Sequence, residues 1–85
     1  MATREEVYEI LHGVEFTSRI RQASSGMWIA YCEEVPAART QGETEEEVEE
    51  NLRDATVFIL EDYSREQLEE LRERLVSARK EPLIL

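Results

Sequence analysis

Eighty-five residues fit one domain, and a formal charge of −10 excludes a generic nucleic-acid binder, which meets phosphate with clustered Lys and Arg. A hydrophobic content of 41%, with Trp28, Phe16, Phe58 and three tyrosines to anchor a core, excludes a disordered chain although 35% of the residues are charged. One cysteine, Cys32, excludes a disulfide framework within the chain and, with no zinc-type Cys/His spacing, points to a reducing compartment.

The segment from Met1 to Leu11 lacks the apolar centre of a signal peptide. No run approaches the roughly 20 apolar residues that span a bilayer. A cytoplasmic protein without membrane contact is therefore expected. The charge is uneven along the chain: residues 1–42 carry a net −2, residues 43–63 a net −8, and residues 64–85 balance. The acidic excess thus belongs to one segment.

In chain order, Thr3-Arg4-Glu5-Glu6 reads as a capping box, with Thr3 at the N-cap and Glu6 at N3. Val7, Ile10 and Leu11 follow at helical spacing, and His12-Gly13 ends a short helix; a strand over Val7 to Leu11 is the alternative. From Val14 to Gln22 the pattern changes to period two. Val14, Phe16, Ser18 and Ile20 face one way and Glu15, Thr17, Arg19 and Arg21 the other, as in a half-buried strand. Ala23-Ser24-Ser25-Gly26 is a turn, and Met27 to Glu33 is the returning strand of a hairpin. Pro36 ends it, because proline offers the ladder no N–H. Ala38 to Gln41 is a short third strand before Gly42, whose expected role is a positive φ ahead of the next N-cap.

Thr44-Glu45-Glu46-Glu47 is a second capping box, and its glutamates suit the positive end of the helix dipole. Val48, Leu52, Ala55, Ile59 and Tyr63 form the apolar stripe that follows, widened by Phe58 and Leu60. Ser64 and Gln67 make a third box, with Tyr63 placed to staple onto Leu68. Leu68, Leu71, Leu75 and Ala78 then mark a separate C-terminal helix, stopped by Pro82 before the apolar tail Leu83-Ile84-Leu85.

The order strand, turn, strand, short strand, Gly and capped helix carries a recognisable text. It runs Gly26-Met27-Trp28-Ile29-Ala30-Tyr31-Cys32-Glu33-Glu34-Val35-Pro36, then Thr40-Gln41-Gly42-Glu43-Thr44, then Glu47-Val48 and Glu50-Asn51-Leu52-Arg53-Asp54-Ala55. This resembles the HicB family of antitoxins and their stand-alone relatives, whose pattern is GxxxAxxPELPG followed by TQGDTxEEAxxNxxEA. The resemblance covers residues 14–63, and its more specific part is Thr-Gln-Gly-x-Thr-x-x-Glu with Asn51 and Ala55 downstream. It implies an α+β fold: a three- or four-stranded antiparallel sheet with a helix packed on one face, a partial ribonuclease H fold, here with an additional C-terminal helix over 64–85. It also implies binding and inhibition of HicA, a small basic RNA-cleaving toxin, and assembly into dimers or higher oligomers. Two departures stand out. Val35-Pro36-Ala37-Ala38 replaces the family's PELPG turn. Residues 64–85 are too short and too neutral for the operator-binding module many relatives carry, so DNA operator binding by this chain is not expected. Leu83-Ile84-Leu85 is a candidate for the closing fourth strand or for the cover of a dimer interface.

The glutamates that open the long helix serve its dipole as a solvated face, and the same charge steers a basic partner. Glu46, Glu47, Glu50 and Asp54 are the candidate contact residues. A metal site is not expected, since helical spacing splays these carboxylates and no His joins them. Two-metal nuclease chemistry needs acids converging from several elements, whereas the strands offer Glu15, Glu33 and Glu34 and no Asp. Cys32 reads as a small buried thiol, and a Cys–His pair would have to recruit His12, the only histidine. Asn51 is either a partner contact or solvated. Trp28 and Tyr31 fall on opposite faces of their strand, so one of them lies on the uncovered side. The expectation is a HicB-like binding module over residues 1–85 with no catalytic residues, no cofactor and no metal. Its partners are a HicA-like toxin and its own copies, as a dimer or tetramer. The alternative is an orphan structural or oligomerising domain of the same fold with no toxin partner.

Overall fold

The computed structural model describes residues 1–77 and 82–84. Its elements are α1 (Arg4–Ile10), β1 (Ser18–Gln22), β2 (Trp28–Cys32), β3 (Arg39–Gly42), α2 (Glu45–Leu60) and α3 (Arg65–Ser77). The strands form an α+β fold's antiparallel sheet in the order β1-β2-β3. Ser18 pairs with Cys32 and Gln22 with Trp28, while Trp28 also pairs with Gly42 and Tyr31 with Arg39.

Local chemistry sets the boundaries. At Thr3 both halves of the capping box form: the Glu6 N–H donates to Thr3 Oγ1 at 3.2 Å and the Thr3 N–H donates to Glu6 Oε1 at 3.3 Å. The Ser64 box is likewise complete, with Gln67 N–H on Ser64 Oγ at 3.1 Å and Ser64 N–H on Gln67 Oε1 at 2.8 Å. Thr44 accepts from the Glu47 N–H at 3.0 Å, but the return bond from the Glu47 side chain is not made. That carboxylate points to solvent instead. The expected break between the two C-terminal helices falls at Glu61–Ser64. In the hairpin, Ala23 N–H donates to Met27 O and Gly26 N–H to Ala23 O, and Gly26 takes φ 93°, where a side chain would be strained.

The first strand is shorter than its alternation implies. Residues 14–17 lie outside the regular strand, and the polar groups of Thr17 find a partner beyond the ladder. The Thr17 N–H and hydroxyl both donate to the Glu34 carboxylate, at 2.6 and 2.8 Å. Val14 and Phe16 still pack against the core, so the period-two reading of their direction stands. The third strand is displaced by one residue, to Arg39–Gly42. The turn between β2 and β3 is held by burial of Val35 and Ala38 and by the Ala38 N–H donating to Val35 O.

Helix α2 lies across one face of the sheet, mainly over β2 and β3. Its buried positions are Val48, Leu52, Thr56, Val57 and Leu60. This corrects the expected stripe: Ala55, Ile59 and Tyr63 are half-buried, and Phe58 is 66% exposed. Val57 and Phe58 are adjacent, so one helix face admits only one of them, and Val57 is the residue inside. Thr56 can enter the core because its hydroxyl donates to Leu52 O at 2.7 Å, which removes the cost of an unpaired buried polar group. Helices α1 and α3 pack side by side. The Ala2 N–H reaches the carbonyls of Glu61 and Tyr63, and Arg72 donates to those of Ile10 and His12.

The fourth strand is not formed among the described residues. Leu83 and Ile84 belong to no strand and are 86% and 87% exposed; Leu85, like Ala78, lies outside the described residues. Gly42 also differs from expectation. Its φ is not positive; what it supplies is room, since a Cβ there would lie 2.9 Å from the Val48 nitrogen and 3.2 Å from its Cα. The contact is with backbone and cannot be relieved by a side-chain rotation. Gly42→Ala is therefore expected to destabilise the fold by about 1–3 kcal/mol, the usual cost of overpacking. A lowered urea midpoint at unchanged m-value is the expected readout, and an unchanged midpoint would show that α2 can move off the strand freely.

Candidate protein-interaction surface

The four carboxylates singled out from the sequence share α2 because the Thr44 cap starts the helix immediately before them. Glu46, Glu47, Glu50 and Asp54 are all exposed. Their spacing places them on one side of the helix, as neighbours three or four residues apart. The buried residues Val48, Leu52, Thr56 and Val57 lie on the side turned to the sheet and core.

None of the four carboxylates is ion-paired with a described residue. Other surface acids are: Glu61 with Arg4 at 3.1 Å, Glu33 with Arg19 at 3.0 Å, and Glu6 and Glu69 with Arg65 at 3.5 and 3.3 Å. Four acids elsewhere are thus paired among the described residues, and the α2 row is not, within a segment 43–63 that holds a net −8 of the chain's −10. The row ends on Phe58, one turn beyond Asp54, and both line a shallow depression with Ala55, Ile59, Ala37 and Arg39. A large aromatic with two thirds of its surface in solvent is not core. Its place beside the acidic row was hidden in the sequence, where 57 and 58 compete for the same apolar stripe.

Two residues weighed as functional turn out to be structural. The Asn51 side-chain amide donates to Gln41 O at 3.1 Å and ties α2 to the end of β3. Cys32 is buried in the core at 2% exposure, and its thiol lies 3.7 Å from Glu34 Oε1. Burial pushes the thiol pKa up, and the neighbouring Glu34 carboxylate adds to this, while hydrogen bonds with the Val35 and Glu34 backbone act the other way. A nucleophilic thiol needs the opposite shift. A cleft of about 520 Å³ opens between α1, β1 and α2, floored by Leu11, Phe16, Leu52 and Leu60. His12 and Cys32 both border it, but no hydrogen bond joins them among the described residues. Among the described residues no cluster of His, Cys, Asp and Glu has the arrangement of a metal site, and no helix is long and apolar enough to cross a membrane.

The side of the sheet away from α2 is the second exposed surface. Trp28, Ala30 and Cys32 of β2 turn to the core, so Ile29 and Tyr31 turn outward. The register then sets two rows across that face: Arg19, Tyr31 and Arg39, and Arg21, Ile29 and Gln41. The Arg39 guanidinium lies over the Tyr31 ring, 5.5 Å from its centroid.

No family model, no curated protein and no solved structure matches this chain.

Because folding holds the Cys32 thiol protonated, its contribution to stability is complete below the ordinary thiol pKa of about 8.5 and is lost as the pH rises through the raised native value. The urea midpoint is expected to fall with rising pH above about 8.5, with a smaller fall in Cys32→Ala. Labelling of the native protein by a thiol reagent at neutral pH should be as slow as global opening; immediate labelling would contradict the burial.

Proposed function

We propose that this chain is a HicB-like binding module that neutralises a small basic RNA-cleaving protein of the HicA type, without catalysis of its own. The observation that carries the reading is the uncompensated row of Glu46, Glu47, Glu50 and Asp54 ending on exposed Phe58. Glu46 and Glu47 lie in the first turn, where the helix dipole favours them, and all four carboxylates are exposed to water, so folding does not require cations beside them. Left unpaired, they raise the encounter rate with a basic protein and fix its orientation. Phe58 supplies what charge alone does not, a rigid apolar anchor of the kind that dominates interface energies. The sequence resemblance supplies the kind of partner, and the surface has the matching sign. A raised and buried thiol, and carboxylates strung along one helix, support a role in binding over one in catalysis. The second reading, an orphan oligomerising domain of the same fold, is favoured by the exposed aliphatic side chains Val76, Leu83 and Ile84.

The test is titration of the purified protein with a small basic HicA-type toxin while RNA cleavage is followed. Stoichiometric binding that stops cleavage is expected, weakened by salt because the pairing is at the surface. Glu50→Lys with Asp54→Lys should lower affinity about tenfold or more at low salt, with a smaller effect at high salt. Phe58→Ala should cost about 2 kcal/mol at both salt concentrations, as expected of an anchor residue. Absence of binding at either salt would move the assignment to the oligomerising domain.

A further inference from the structure

We propose that the open face of the sheet is a self-association surface, and that its occupant is the acidic outer face of α2 from a second copy of the chain. The face is sharply defined by the register: Ile29 and Tyr31 form an apolar strip along the central strand, with Arg19 and Arg21 on one side and Arg39 and Gln41 on the other. No carboxylate stands in either row. Glu33, just past the end of β2, is engaged by Arg19, and Arg21 makes no ion pair among the described residues. Three of the four arginines in residues 1–42 therefore gather on one face of a chain with a net charge of −10.

The opposite side of the same molecule carries the complement. Helix α2 presents Phe58 beside Asp54, Glu50 and Glu47, an aromatic flanked by acids, against an aliphatic and aromatic strip flanked by guanidiniums. Two copies joined sheet to sheet would set arginine against arginine, so a twofold face-to-face pairing is opposed by charge. Sheet on helix is the arrangement in which both the charges and the apolar groups match. Salt screens charges through the solvent over about 8 Å at physiological ionic strength, so a docking partner responds mainly to the charges on the face it meets. The sheet is three short strands wide, so the contact is small, weak and reversible. It is also head to tail, which allows further copies to add. This contact does not depend on the toxin reading, although a basic partner bound to α2 would compete with it.

Sedimentation of the wild-type protein over a range of concentrations tests the proposal directly. Weak association near physiological salt is expected, lost in about 1 M salt where the screening length falls to about 3 Å. Arg21→Glu with Tyr31→Glu removes the sheet face and leaves α2 intact; Glu50→Gln with Asp54→Asn removes charge from α2 and leaves the sheet face intact. Each variant alone should be monomeric where the wild type associates, and an equimolar mixture should form a one-to-one dimer that grows no further. Arg21→Glu alone, at a side chain that holds no other part of the fold, should weaken association about tenfold or more through like-charge contact. A wild type that stays monomeric throughout, or an oligomer unchanged in these variants, would overturn the proposal. So would binding of a labelled single-stranded RNA by the wild type that is lost in Arg21→Glu, which would give the face to nucleic acid. Toxin binding measured on the sheet-face variant separates this proposal from the functional one, since that variant retains the acidic row.

Discussion

The seating of α2 on the sheet, at the point where Gly42 brings the Val48 backbone within contact distance of β3, is the constraint on which the rest of the molecule depends. The helix has sixteen residues, and a small sheet can cover one side of it. Once Val48 and Leu52 are pressed down, the helical repeat leaves Glu46, Glu47, Glu50 and Asp54 exposed. The bond from Asn51 to the Gln41 carbonyl closes the same corner from above. A side chain at position 42 would lift the helix start, and both the core and the orientation of the acidic row would change together.

That seating also sorts the charge. The acids of α2 lie on one broad side and the arginines of β1 on the other, with the apolar layer between them and Arg39 of β3 at the edge, over Tyr31 and beside the depression at Asp54 and Phe58. A net charge of −10 therefore describes neither surface. Four of the carboxylates elsewhere are matched by arginines across the fold or along a helix, and those exposed pairs add little stability. The acidic excess is concentrated in residues 43–63, where α2 faces solvent.

The small core relies on economy in its polar groups. Thr56 enters it with its hydroxyl bonded to the helix's own carbonyl, and Glu34 satisfies the Thr17 backbone where β1 gives up the ladder. Complete capping boxes start α1 and α3, the Ala2 N–H ties the residue before α1 to the connection between α2 and α3, and Arg72 of α3 donates to the end of α1. Among the described residues no fully buried side-chain polar atom lacks a partner.

Much of this was legible in the sequence because it is local. Thr3 with Glu6, Thr44 with Glu47 and Ser64 with Gln67 mark helix starts through atoms within one turn of each other, and three helices begin there. Alternation over Val14 to Ile20 reported strand direction, because period two is a property of the backbone itself. The exposure of Glu46, Glu47, Glu50 and Asp54 followed from the helical repeat. Tertiary structure alone decided which of Val57 and Phe58 goes inside, because neighbouring apolar residues satisfy the same pattern and only the shape of the sheet and of α1 and α3 selects between them. It decided that Gly42 serves a close approach and not a turn, since the Val48 backbone it meets is brought there by the fold. It also decided that Tyr31 looks outward among Arg19 and Arg39, because strand register and the side chosen by α2 are set between segments distant along the chain.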